Sequence, residues 1–170
     1  PVSFHNMAVA IAEFEKTLAT PGDFDKYLEG EYAALSDMEQ KGLKTFMDVG
    51  CITCHIGPAV GGNMYKKFGL VKGPYWEWTE SDSTDLGRYE VTEKESDKYV
   101  FKVPSLRNVT ETAPYFHDGS VESLNEAIKI MGATQLGRGL SPRQVREIKV
   151  FLESLTGEIP EHALREENQQ

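Results

Sequence analysis

Cysteine occurs only at Cys51 and Cys54, and His55 follows the second directly. Cys51-Ile52-Thr53-Cys54-His55 reads C-x-x-C-H. This is the spacing by which two thiols anchor the vinyl groups of a haem while the adjacent histidine ligates the iron. Two thioethers on one short turn fix an edge of the macrocycle, and the next residue is held beneath the metal. Other uses of these cysteines fit less well. A thioredoxin-like redox pair wants a βαβ context, and no such alternation surrounds it. A structural zinc site needs four nitrogen or sulfur ligands, and no second C-x-x-C or H-x3-5-H pair supplies them. Two incidental buried cysteines would not account for a histidine at this spacing. One covalent haem c is therefore expected, and the chain must fold around it.

At 170 residues the chain is long enough to bury a core around a cofactor. Its net charge of −9 argues against nucleic acid and anionic membrane as partners. No apolar run approaches a membrane span, and the start Pro1-Val2-Ser3-Phe4-His5 has no signal-peptide pattern. Covalent haem attachment in bacteria takes place outside the cytoplasm, so a periplasmic location and a mature or truncated chain are expected.

The pattern along the chain is mainly helical. Asn6 can cap a helix to residue 19 on which Met7, Ile11, Phe14 and Leu18 share a face. Ser36 and Glu39 make a capping box for a helix from about Asp37 to Asp48, with Leu43, Phe46 and Met47 directed toward the haem. Residues 57–98 are rich in glycine, aromatic and charged residues without periodicity. So long an irregular segment suits a loop that wraps something. Trp76 and Trp78 in it either pack over the cofactor or lie on an electron path. Residues 99–104 read as extended, and a helix from about Val121 to Met131 is expected to stop at Gly132. The last helix is the clearest: Ser141 caps it, Pro142 takes the first turn, Gln144 completes the box, and Val145, Ile148, Leu152 and Leu155 form one stripe.

His55 leaves one axial position to be filled. The side chains that could reach iron are Met7, Met38, Met47, Met64, Met131, His5, His117 and His162. Met38 and Met47 are too close to the haem turn to reach the other face easily. Met131 lies far enough downstream to have crossed, with His117 as the bis-histidine alternative, and a plain core methionine as the other use of Met131. The choice matters, because His/Met ligation raises the potential and closes the iron to substrate, whereas an open position suits peroxide chemistry.

With these residues in view, the chain resembles the C-terminal half of the bacterial diheme cytochrome c peroxidases. The matching stretches are residues 10–18, Gly50 to His55, Phe101 to Val109, Thr112 to Ser120, Gln135-Leu136-Gly137-Arg138 with Leu140-Ser141, and Phe151-Leu152 with Ser154 to Gly157. The resemblance implies a high-potential haem held by Cys51, Cys54, His55 and Met131, with Met131 at the position of the family's axial methionine. It implies electrons arriving from a small cytochrome c or a cupredoxin and passing to an N-terminal peroxidatic haem domain that reduces hydrogen peroxide. It also implies a calcium ion between the two domains, to which this half would give the backbone carbonyls of Thr112 and Pro114. Two carbonyls alone would not hold calcium. A homodimer is compatible with the resemblance. Arg107 and Arg88 are each either a propionate partner or a member of a surface salt bridge. His117 is either a propionate or interdomain partner, or a turn histidine satisfied by Asp118 or backbone.

The departure from the family is a single C-x-x-C-H. The peroxidatic haem, its catalytic acid and the third calcium ligand belong to the other half, so no catalytic residue is assigned here and peroxidase activity belongs to the longer enzyme. The expected architecture is all-α, a class I cytochrome c-like domain over 36–157 with a long irregular insert, preceded by a helix and linker over 1–35 and followed by a polar tail over 158–170. Three rivals stand beside electron relay. The domain could turn over peroxide itself, or be a free monohaem carrier. It could also belong to the methylamine-utilisation branch, for which a tyrosine would be needed where Met131 stands.

Overall fold

In a computed structural model, residues 2–164 are described. The expected tail lies partly outside them, at residues 165–170. Ten elements follow in order: α1 (Phe4–Lys16), α2 (Asp23–Leu28), α3 (Asp37–Val49), β1 (Tyr65–Lys67), α4 (Trp76–Thr79), α5 (Tyr89–Thr92), β2 (Val100–Lys102), α6 (Leu124–Leu136), α7 (Pro142–Glu153) and α8 (Glu161–Leu164). Short 3-10 turns join several of them. The architecture is mainly helical but not purely so. Tyr65, Lys66 and Lys67 pair antiparallel with Lys102, Phe101 and Val100, inside a stretch whose lack of periodicity concealed a strand of three residues.

The two strongest local signals form as written. Ser36 Oγ accepts from the Glu39 amide at 3.3 Å, and the Glu39 carboxylate accepts from the Ser36 amide at 2.7 Å. Ser141 and Gln144 do the same at the head of α7, at 3.3 and 3.0 Å, with Pro142 in the first turn. Each box satisfies amide groups that a helix start otherwise leaves open.

Helices α3 and α7 make the main packing pair, and α6 lies against α7. Phe46 and Val49 from α3, Ile128 from α6, and Val145, Ile148, Phe151 and Leu152 from α7 form one buried cluster with Leu155. A second cluster gathers Phe68, Tyr75, Tyr115, Val121, Ala127 and Ile130, with Phe101, Trp76 and Met131 against it. Helix α6 contributes to both. Helix α2 is also tied down: Phe24 meets Phe151 edge-on at 5.3 Å, and its amide donates to the Ser154 carbonyl at 3.1 Å.

Some boundaries differ from the sequence pattern. Helix α1 starts earlier, with Ser3 rather than Asn6 as the cap, and the Asn6 amide donates to Ser3 Oγ at 3.2 Å. None of its residues is buried; Phe4 is 90% exposed and Ile11 57%. Met47 points outward rather than toward the haem turn. Helix α6 does not stop at Gly132 but runs on to Leu136, where Gly137 ends it at φ 64°. Gly132 serves packing instead: a Cβ there would stand 2.7 Å from Leu140 Cγ. Among the described residues no helix is long and apolar enough to cross a membrane.

Candidate haem-binding site

Helix α3 ends at Gly50, whose left-handed conformation turns the chain into a 3-10 turn over Cys51–Thr53. The His55 amide closes the turn on the Cys51 carbonyl at 3.0 Å. Cys51, Cys54 and His55 thereby line one cavity of about 400 Å³. Its other walls are apolar, from Phe46 of α3, Leu106 and Val109 of the loop after β2, Ile128 and Leu136 of α6, and Leu152 of α7. Phe46 faces the cavity, in keeping with its expected direction toward the haem, whereas the stripe that carries Leu152 reads only as an apolar helix face.

Both cysteines are unpaired and partly buried. Burial pushes the Cys51 thiol up to about 12, the reverse of the lowered value that marks a thiolate nucleophile. Burial also holds His55 below the usual imidazole range, partly offset by the nearby backbone of Val60 and Pro104. Its Nδ1 is buried without a partner at hydrogen-bonding geometry among the described residues. A neutral imidazole fixed with one nitrogen toward backbone is the form a metal ligand takes. Gly61 makes the approach possible. Its φ is 136°, a Cβ would collide with the Pro104 carbonyl oxygen, and that Cβ would also stand 3.2 Å from His55 Nδ1. In the sequence Gly61-Gly62 reads only as punctuation.

Of the five methionines, all described, Met131 alone lines this cavity. Met7, Met38 and Met47 are exposed and Met64 lies elsewhere. His117 lines it too, whereas His5 and His162 do not. The His117 ring stacks on Phe101 at 4.0 Å, and its Nε2 shares a hydrogen bond with the Tyr75 hydroxyl at 3.3 Å. Its neighbours include Tyr75, Phe101 and Phe68, with the Asp85 carboxylate 3.8 Å from Nε2, and Asp118 accepts from Ser120. Trp76 packs against Tyr75 at 5.2 Å and Tyr99 at 4.8 Å.

Arg107 is not on the cavity wall, which corrects its expected role as a propionate partner. Both of its terminal nitrogens donate to the Asp25 carboxylate at 2.6 Å, and Nε donates to the Pro58 carbonyl at 2.8 Å. Its fork is fully occupied. Arg88 is likewise engaged, 3.3 Å from Asp97 and over the Tyr65 ring. Thr112 and Pro114 both line the cavity. Among the described residues no group of three or more His, Cys, Asp or Glu stands together as a metal cluster.

The donor set fits a haem: two thiols, a buried neutral imidazole, a thioether from another element, and an apolar hollow between them. Against known proteins, the chain is 52% identical to the cytochrome c551 peroxidase of Pseudomonas aeruginosa over 94% of its own length and 46% of the relative's. It is 46% identical to that of Nitrosomonas europaea, over 96% and 48% of the two chains. The chain belongs to the cytochrome c peroxidase family. It spans about half the length of these curated relatives. No protein-family model matches it. Among solved structures, a MauG-like protein associated with microbial copper homeostasis superposes with a TM-score of 0.71 at 26% identity, over 93% of this chain and 58% of that one.

Proposed function

We propose that this chain is a class I cytochrome c-like, electron-relaying haem domain of a diheme cytochrome c peroxidase. Cys51 and Cys54 would anchor one haem covalently, with His55 and Met131 as axial ligands. The haem supplies a one-electron ferric/ferrous couple when bound. The chain's own residues set the conditions for that couple. The apolar walls exclude water, Gly61 lets the Pro104 segment support the His55 ring, and α6 presents Met131 from a packed helix. A thioether ligand in dry surroundings favours the reduced state and keeps the iron from binding small molecules.

The observation that carries this proposal is that Met131 alone of five methionines reaches the cavity bordered by the C-x-x-C-H turn. A small cytochrome c or cupredoxin would deliver the electrons, in the periplasm, and a peroxidatic haem domain would receive them. The double length of the relatives and the uncovered apolar face of α1 support a partner domain. Thr112 and Pro114 would offer carbonyls to a calcium ion only if that partner completed the shell.

Visible spectra of the oxidised and reduced protein, with and without carbon monoxide, together with a pyridine haemochrome, test the proposal. A c-type spectrum with a methionine–iron charge-transfer band and no response to carbon monoxide is expected. A reduced haem that binds carbon monoxide would replace relay with peroxide turnover at this site, and absence of haem would remove both.

A further inference from the structure

A cavity that holds a haem must accommodate two propionates as well as an apolar ring. We propose that Lys66 on β1 is the cation that holds a haem propionate at the rim of the cavity; this rests on the haem assignment above. The chain contains 27 aspartates and glutamates against 18 lysines and arginines, yet among the described residues no carboxylate lines the cavity. Among the described residues the always-cationic side chains that line it are Lys66 and Lys102. A lining cleared of anions and supplied with ammonium groups is complementary to an anionic ligand edge.

The strand register separates the two lysines. Lys66 stands opposite Phe101, and Tyr65 stands opposite Lys102. Cross-strand partners share a face of the sheet, and successive residues alternate between faces. The Phe101 ring stacks on His117, and both line the cavity. Lys66 is therefore on the cavity side. Lys102 shares the other face with Tyr65, and it also borders a separate hollow with Pro58 and Asn63. Lys66 has no ion pair among the described residues, whereas Arg107 is held by Asp25 and Arg88 by Asp97. Its aliphatic stem can run along the apolar wall while the ammonium stays at the solvent edge.

The consequence is electrostatic. A propionate anion stabilises ferric iron, and an ammonium beside it offsets that effect and raises the potential. The test uses haem-loaded protein carrying Lys66→Met, Lys66→Arg or Lys67→Met, the last on the opposite face of the same strand. Lys66→Met is expected to lower the midpoint potential and to shift the propionate bending band in the resonance Raman spectrum. Lys66→Arg should keep both near wild type, and Lys67→Met should leave both unchanged. Unmoved values in Lys66→Met, or an equal fall in Lys67→Met, would overturn the assignment. That failure is distinguishable from failure of the haem reading, because a wild-type protein without a pyridine haemochrome signal would strike the latter instead.

Discussion

Thr45 on α3 donates its hydroxyl hydrogen to the Glu147 carboxylate on α7 across 2.7 Å, and Lys41 stands 3.0 Å from the other oxygen of that group. Glu147 is thus an anion drawn into the seam between the two main helices, with only 3% of its surface exposed. The Thr45 hydrogen bond first, and then Lys41, hold its carboxyl below the usual range. A carboxyl lowered in the folded state stabilises the fold above its unfolded value, and that contribution is lost as pH falls through the folded one. Glu147→Gln should therefore lower Tm at pH 7. The gap between wild type and variant should narrow on acidification into the carboxylate range, as followed by circular dichroism. An unchanged gap from neutral to acid pH would show that the charge contributes nothing.

Met131→Ala should open the iron. Carbon monoxide binding to the reduced protein, loss of the methionine charge-transfer band and a lower midpoint potential are expected together. A variant with wild-type ligand binding and potential would rule Met131 out as ligand and move attention to His117.

Asp25→Asn removes one side of the paired fork on Arg107. Burial works to raise the Asp25 carboxyl, but the Arg107 hydrogen bonds and the Gly22 amide outweigh it and hold it low. The variant should be less stable at pH 7 and converge with wild type at acid pH. The midpoint potential of the haem should barely move, because Arg107 lies off the cavity wall. A fall in potential as large as that expected for Lys66→Met would return Arg107 to the propionates.

Gly61→Ala asks for a side chain where φ is 136° and the Pro104 carbonyl already fills the space. Overpacking of this kind costs about 1–3 kcal/mol. The effect should be read both in urea unfolding and in the haem spectrum, since Pro104 lies beside His55. A wild-type spectrum in this variant would show that the two strands of chain can separate without moving the imidazole.

Tyr75→Phe keeps the stacked ring and removes the hydroxyl bound to His117. A loss of about 0.5–1.5 kcal/mol is expected from one such bond. Unfolding in denaturant checks it, with Phe101→Ala as the larger comparison because that change also removes the ring on which His117 stacks.

What was legible in the sequence was local. Ser36 with Glu39 and Ser141 with Gln144 satisfy their own helix starts within three residues, so no distant contact could overrule them. The C-x-x-C-H turn is equally self-contained. Gly132 was misread because its meaning depends on Leu140, which approaches only after the chain has turned back. Arg107 stays open between propionate and salt bridge in the sequence because its partner Asp25 is 82 residues away and carries no pattern that announces a fork. Met131 leads the candidates by its place far downstream of the haem turn, and the family resemblance strengthens it; the other four methionines do not reach the cavity.

Helix α6 has Ile128 in one buried cluster, Ala127 and Ile130 in the other, and Met131 on the cavity wall. The backbone that carries the Met131 side chain is thus packed into both interiors. If Met131 ligates the iron, unfolding must break that bond as well as both clusters, so ligation and folding should share one thermodynamic cycle. Whatever free energy the sulfur–iron bond gains on reduction would then reappear as extra resistance of the reduced protein to heat.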